Sequence, residues 1–220
     1  PFHSQNLFDR ELDDVDMGMG HGGTGTTNEL HRASRRGDLE EVKRLTEEKG
    51  FNPLQTGGKD AGNALHYAAG GGHLGVMRYF IEERGCNPAS PSSKGGTCLH
   101  LAAGYNHLEL VHYLIDVQKM DPMCQTILGA TPLHLACAGG DIDVVTYLIT
   151  AMTKYLPLED VVRYKGEHGH TPAHIATYYC QLELVKHFIT KLNFDPNIQA
   201  TPLNCNASKP HPQKLLAKYK

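Results

Sequence analysis

Fourteen histidines and six cysteines among 220 residues are the side chains best suited to chemistry. Imidazole and thiolate are the usual zinc ligands, and a thiol beside an imidazole is a nucleophile with its base. Five histidines, His31, His66, His100, His134 and His174, recur at separations of 35, 34, 34 and 40 residues. Packed helix layers stand on the order of 10 Å apart, too far for one ion to bridge, so these five do not read as a shared metal site. The local cluster His168, His170 and His174 reads as a solvated loop, with His174 already committed to the repeat. Cys86, Cys98, Cys124, Cys137, Cys180 and Cys205 lie 12 to 43 residues apart without a CxxC pair, which points to reduced thiols inside a cell. Cys137 and Cys180 fall a few residues from repeat histidines only because the repeat puts them there. No GxxxxGK[ST] phosphate loop occurs, since the glycines between positions 18 and 25 lack the lysine and a preceding strand. The carboxylate pairs Glu47-Glu48 and Glu82-Glu83 read as solvated helix faces. Chemistry of this kind therefore predicts no metal, no cofactor, no catalytic residue and no enzyme activity.

The elements that must position these side chains follow a period of about 34 residues. Five segments align: Asn28-Glu-Leu-His31-Arg-Ala-Ser, Asn63-Ala-Leu-His66-Tyr-Ala-Ala, Thr97-Cys-Leu-His100-Leu-Ala-Ala, Thr131-Pro-Leu-His134-Leu-Ala-Cys and Thr171-Pro-Ala-His174-Ile-Ala-Thr. A polar turn and a second apolar period follow each, beginning at Asp38, His73, His107, Asp141 and Gln181. Each unit thus reads as two helices. Thr131 and Thr171 suit an N-cap with proline at the first helical position, while Asn28 and Asn63 cap without it. Ala33, Ala68, Ala69, Ala102, Ala103 and Ala136 keep the first helix slim, and Leu65, Leu99, Leu108, Leu133 and Leu148 are expected between repeats. Asn52-Pro53, Asn87-Pro88, Asp121-Pro122 and Asp195-Pro196 end the second helix. Gly95, Gly129 and Gly169 stand five residues before a histidine and suit a tight hairpin turn. The connection between the fourth and fifth units is six residues longer and is expected to form a loop.

These residues resemble the ankyrin-repeat family, whose motif is close to Thr-Pro-Leu-His-x-Ala followed by a turn into a second helix; the likeness covers about residues 28–197. The resemblance implies an all-α ankyrin-repeat solenoid of helix-turn-helix units with projecting hairpin fingers. It also implies that the ring of each repeat histidine, His31, His66, His100, His134 and His174, bonds backbone in the neighbouring finger. Such arrays bind other proteins through a concave face and finger loops.

Residues 1–27 carry no repeat signal. Their acids Asp9, Glu11, Asp13, Asp14 and Asp16 precede a glycine-rich stretch that reads as a flexible linker, and a short acidic helix is expected near residues 7–15. The repeat domain is expected over 28–207, with a degenerate sixth unit at Thr201-Pro-Leu-Asn204, and a tail over 208–220. A start at Pro1 suggests a fragment. A composition 40% hydrophobic and 20% charged suits a buried core, and a net charge of −3 gives no reason to expect a nucleic-acid partner. The longest apolar stretch, around residues 144–152, is too short to span a bilayer. A cytoplasmic monomer is expected, with the nucleus also open to it.

Positions that the repeat does not require are the ones free to bind. After the histidines these are Arg35-Arg36, Gly70-Gly71, Gly104-Tyr105, Ala138-Gly139 and Tyr178-Tyr179. At the finger tips they are Lys59-Asp60, Ser93-Lys94, Ile127-Leu128 and Glu167-His168. Tyrosine, arginine and exposed apolar side chains anchor interfaces. The expected contacts with another protein are therefore Arg35, Arg36, Tyr105, Ile127, Leu128, Glu167, His168, Tyr178 and Tyr179. A second reading makes the same array the targeting or autoinhibitory domain of a larger signalling protein, channel or ligase adaptor. A third folds the acidic N-terminal stretch back onto Arg32, Arg35 and Arg36.

Overall fold

A computed structural model describes residues 27–58, 61–166 and 169–192. The N-terminal segment, the sixth repeat, the tail and the finger positions 59–60 and 167–168 lie outside the described residues. The chain divides into two compact units, Pro1–Met120 and Asp121–Lys220. In the first, three helix pairs follow one another: α1 (Glu29–Arg36) with α2 (Leu39–Glu47), α3 (Ala64–Gly71) with α4 (Leu74–Arg78), and α5 (Cys98–Gly104) with α6 (Leu108–His112). Helices α4 and α6 run on into π-helical turns at Tyr79–Glu83 and Tyr113–Val117. The second unit holds α7 (Pro132–Gly139) with α8 (Ile142–Met152), a short α9 (Leu158–Val162), and α10 (Pro172–Tyr178) with α11 (Leu182–Thr190).

Every first helix opens with the same device. The backbone N–H of the cap residue donates to Nδ1 of the histidine three positions on, over 3.2–3.3 Å at Asn28, Asn63, Thr97, Thr131 and Thr171. The cap side chain in turn accepts from the histidine's backbone N–H, closing a capping box in which imidazole takes the place usually held by Glu or Gln. The far ring nitrogen leaves its own repeat. Nε2 of His31 meets Gln55 O at 2.9 Å, that of His66 meets Gly96 O at 3.1 Å and that of His134 meets His170 O at 3.1 Å. A carbonyl can only accept, so in His31 and His134 Nε2 carries the proton and Nδ1 is left to receive the cap N–H, while Nδ1 of His66 stands 2.7 Å from Asn63 Oδ1 as well. One neutral ring thus fastens a helix start to the next repeat's finger. All five histidines are buried, and His31 also stacks on Tyr67 with ring centres 4.8 Å apart.

Leu30, Leu65, Leu99 and Leu133 on the first helices are fully buried, as are Leu45, Phe80, Leu114, Leu148 and Phe188 on the second elements. Leu108 departs from expectation. It is only half-buried, and Leu182 at the same phase is exposed, because the first residue of a second helix lies on the turn and not between layers. Three residues after each histidine stand Ser34, Ala69, Ala103, Cys137 and Thr177, all buried, which marks a slot too narrow for a large side chain. Thr177 satisfies its hydroxyl on Ala173 O at 2.8 Å, whereas Ser34 Oγ has no hydrogen-bond partner. Removing an unbonded buried hydroxyl relieves desolvation, and alanine is the better helix former. Ser34→Ala is therefore expected to leave stability unchanged or raise it by up to about 1 kcal/mol, read from a thermal melt; a clear loss would show that the hydroxyl is bonded.

Two expectations need correction. The insertion after the fourth repeat is not all loop: it folds into α9, which packs on α8 and buries Val161 and Val162. Glu47 and Glu82 are exposed, but not merely solvated. Tyr79 Oη donates to Glu47 over 3.0 Å and Tyr113 Oη donates to Glu82 over 3.0 Å, so each carboxylate ties its repeat to the next one's outer helix. Glu82 is also gripped by Arg78, and the two contacts hold its carboxyl below the ordinary range.

Candidate functional site

The finger tips are closed chiefly by backbone bonds, and in the fourth the Thr126 hydroxyl also accepts from Ala130 N–H over 3.1 Å. Thr126 N–H donates to Ala130 O and Gly129 N–H returns to Thr126 O, each over 2.9 Å, which leaves Ile127 and Leu128 as the two corner residues of a closed turn. Gly129 takes φ +70°, a left-handed conformation that glycine adopts without a Cβ penalty. The third repeat closes the same way, with Ser92 bonded to Gly96 and Gly95 to Ser92, and presents Ser93 and Lys94 at the corners. Where those corners are polar, the fourth finger shows an isoleucine 71% exposed beside a half-buried Leu128. Nothing in the turn's bonding requires an apolar side chain there. The fifth finger closes through Gly166 and His170, while its expected contacts Glu167 and His168 lie outside the described residues. His170 and His174 rings stand 6.2 Å apart.

Along the first helices of the first unit, Arg36 is exposed and Arg35 half-buried, its carbonyl accepting from His73 Nε2 at 2.8 Å. Two glycines follow, Gly70 and Gly71, and the half-buried Tyr105 ring lies across Gly70: a Cβ built on that glycine would sit 3.6 Å from the ring. In the second unit Tyr178 and Tyr179 are half-buried and meet edge to face with ring centres 5.3 Å apart, a favoured aromatic geometry. The structure thus joins the tyrosine pair to each other and Tyr105 to Gly70, and it places Ile127 in solvent.

Sequence reading passed over three residues of the second unit. Tyr164 receives a hydrogen bond from Gln125 Nε2 and turns its ring edge toward His134. Tyr155 and Leu158, both in the insertion, are 67% and 42% exposed. The one available signal was the extra length of that connection, which falls outside the repeat phase.

The buried thiols are held inert. Burial pushes Cys98 up to about 12 and Cys137 well above the ordinary thiol range, so both remain protonated and poor nucleophiles at neutral pH. His134, three residues before Cys137, is pushed down to about 4 by burial and has both ring nitrogens engaged in backbone bonds. Among the described residues no group of three or more His, Cys, Asp or Glu is placed to hold a metal ion. No described helix is long and apolar enough to cross a membrane.

A family model described as ankyrin repeats, in three copies, matches residues 30–125 and 109–200. No curated protein matches the chain at a significant level.

Proposed function

Because the chain belongs to the ankyrin-repeat family, whose repeats are generally protein–protein interaction modules, we propose that it binds a peptide or folded protein partner through its first helices and finger tips, without catalysing a reaction. The observation that carries this reading is Ile127, 71% exposed at the corner of a turn that its own backbone closes. Ile127 and the adjoining Leu128 form an apolar corner that the turn's own bonding does not require, and exposed apolar surface grouped in this way supports a partner there. Leu128, the tyrosine pair 178–179, Tyr155 and Leu158 supply more surface of the same kind in the same unit. The contacts we assign are Arg35, Arg36, Tyr105, Ile127, Leu128, Tyr178 and Tyr179, with Glu167 and His168 as expected neighbours. The reading carries a monomer at work inside the cell, a reducing setting that suits the protonated thiols.

Apolar and aromatic anchors dominate interface energies, and exposed charges contribute little. Ile127→Ala, Leu128→Ala and Tyr178→Ala are expected to weaken partner binding by about 1–3 kcal/mol each, and Arg36→Ala by less than about 1 kcal/mol at physiological salt. The partner is obtained by affinity capture from the source cell, identified by mass spectrometry and titrated calorimetrically against the four variants. Silence of all three apolar and aromatic substitutions would place the interface elsewhere and defeat this assignment.

A further inference from the structure

Two contacts bring the insertion of the second unit against the fourth finger. Gln125 Nε2 donates to Tyr164 Oη, and a Cβ built on Gly166 would stand 3.5 Å from Gly129 O. Residues 163–166 therefore run beside the turn whose corners are Ile127 and Leu128. Lys165 precedes Gly166 and Leu128 precedes Gly129, so a cation and an apolar corner residue flank the same backbone contact. Arg163 stands on the other side of Tyr164. Both cations are exposed, and among the described residues neither side chain makes an ion pair or a hydrogen bond.

The segment that carries them is anchored from within. Val161 and Val162 of α9 are buried, and the Tyr164 ring turns its edge toward the buried His134. A ligand that reaches Arg163 and Lys165 thus has little backbone to order. The described acids of the same stretch, Glu159 and Asp160, lie in the first turn of α9, and neither carboxylate pairs with the two cations. Asp121, at the foot of the fourth finger, accepts from Met123 N–H over 2.8 Å. Apolar corner and cationic strand together restrict the ligand. The corner takes a large apolar side chain, while Arg163 and Lys165 attract carboxylates beside it and repel a basic peptide. A nucleic acid would satisfy the cations and leave Ile127 and Leu128 in water; a purely apolar helix would do the reverse.

We propose that the fourth finger and residues 163–166 form a docking site for an acidic peptide segment of a partner protein, in which a large apolar residue covers Ile127 and Leu128 and neighbouring Asp or Glu side chains reach Arg163 and Lys165. This rests on reading the finger tips as a binding surface and adds the chemistry of what they bind.

The probe is a phage-displayed library of random peptides about a dozen residues long, selected on the full chain at about 0.15 M salt. Selected sequences are expected to combine Leu, Ile, Phe or Trp with several Asp or Glu. On Arg163→Glu with Lys165→Glu the selection should turn to Lys and Arg, and the parental peptides should bind at least about tenfold more weakly by fluorescence anisotropy. Ile127→Ser should weaken them at least about fivefold and leave the preference for acids in place on reselection. Lys191→Glu, a like change of charge at the end of α11, should alter affinity by less than about twofold. Circular dichroism checks that each variant keeps its helicity; should charge reversal disturb the fold, Arg163→Gln with Lys165→Gln is expected to weaken the parental peptides in the same direction. No enrichment, enrichment without acids, acidic peptides that bind the charge-reversed variant as well as the parent, or a single-stranded oligonucleotide that binds more tightly than they do overturns the proposal. Peptides that depend on Ile127 but carry no acids would defeat the acidic ligand and leave the finger-tip reading standing, whereas peptides indifferent to both changes would defeat the two together.

Discussion

Lowering the pH from 6.5 toward 4 is expected to remove about 3 kcal/mol of stability through His134 alone. Burial holds this imidazole at about 4 in the folded chain, against 6.5 when it is free in water. Between those values the unfolded chain binds a proton that the folded chain refuses. The stabilisation is thus complete above pH 6.5, fades as pH falls through this window and is gone below the folded value. The geometry explains the refusal: Nε2 already donates to His170 O, and Nδ1 must stay unprotonated to accept the Thr131 N–H. A proton on Nδ1 would displace the Thr131 N–H and leave only the Thr131 hydroxyl, 2.8 Å away, to accept from the ring. Burial lowers His31 and His66 as well, so they add to the slope in the same direction. Urea unfolding followed by circular dichroism at pH 7 and pH 4 measures the loss. His134→Ala should cost about 1–3 kcal/mol at pH 7, since it orphans one N–H and one carbonyl, and should flatten the pH dependence. A variant as steeply pH-dependent as the parent would show that other groups carry the effect.

The parts of this architecture that could be read from the sequence are those whose cause and consequence lie within one repeat. A threonine or asparagine three positions before a histidine caps a helix whatever stands in the neighbouring repeat, and Gly129 marks the turn that places Ile127 and Leu128 at its corners. The residues that tie one repeat to the next were harder to see, although they obey the same period. Tyr79 and Tyr113 look like ordinary aromatic positions of an outer helix until stacking brings Glu47 and Glu82 under their hydroxyls. His73 and His107 look like polar turn residues, yet each sends Nε2 back to a carbonyl of the preceding repeat. Their partners are set by the rotation between layers, which no single repeat encodes. The insertion was illegible for another reason: Tyr155 and Leu158 belong to no repeat phase, so only the packing of α9 on α8 fixes where they point. On the candidate face, charge and apolarity could be read residue by residue, but the lie of Tyr105 over Gly70 could not, because it depends on two successive helices.

These back-reaching side chains lead to the second large effect, an alanine that destabilises at one glycine and stabilises at another three residues away. Gly72 ends α3 with φ +74°, and a Cβ there would lie 2.7 Å from Cγ and Cε1 of His107. That imidazole is pinned by its bond to Gly70 O at 3.0 Å, so it cannot move aside without breaking the link between the second and third repeats. Gly72→Ala thus combines the cost of a left-handed alanine, about 1 kcal/mol, with the loss of a hydrogen bond and a steric clash, for about 2–4 kcal/mol in all. Gly75 is the control, since it sits inside α4 with nothing within 4 Å of its would-be Cβ. Gly75→Ala is expected to stabilise by about 0.5–1 kcal/mol through helix propensity. A double-mutant cycle assigns the clash: with His107→Ala the ring is gone, and Gly72→Ala should then cost only its backbone penalty, leaving a coupling of about 1 kcal/mol or more. Additive costs from Gly72→Ala and His107→Ala would mean that the ring does not press on the glycine, leaving the His66–Gly96 and Tyr113–Glu82 bonds and apolar packing to join these repeats.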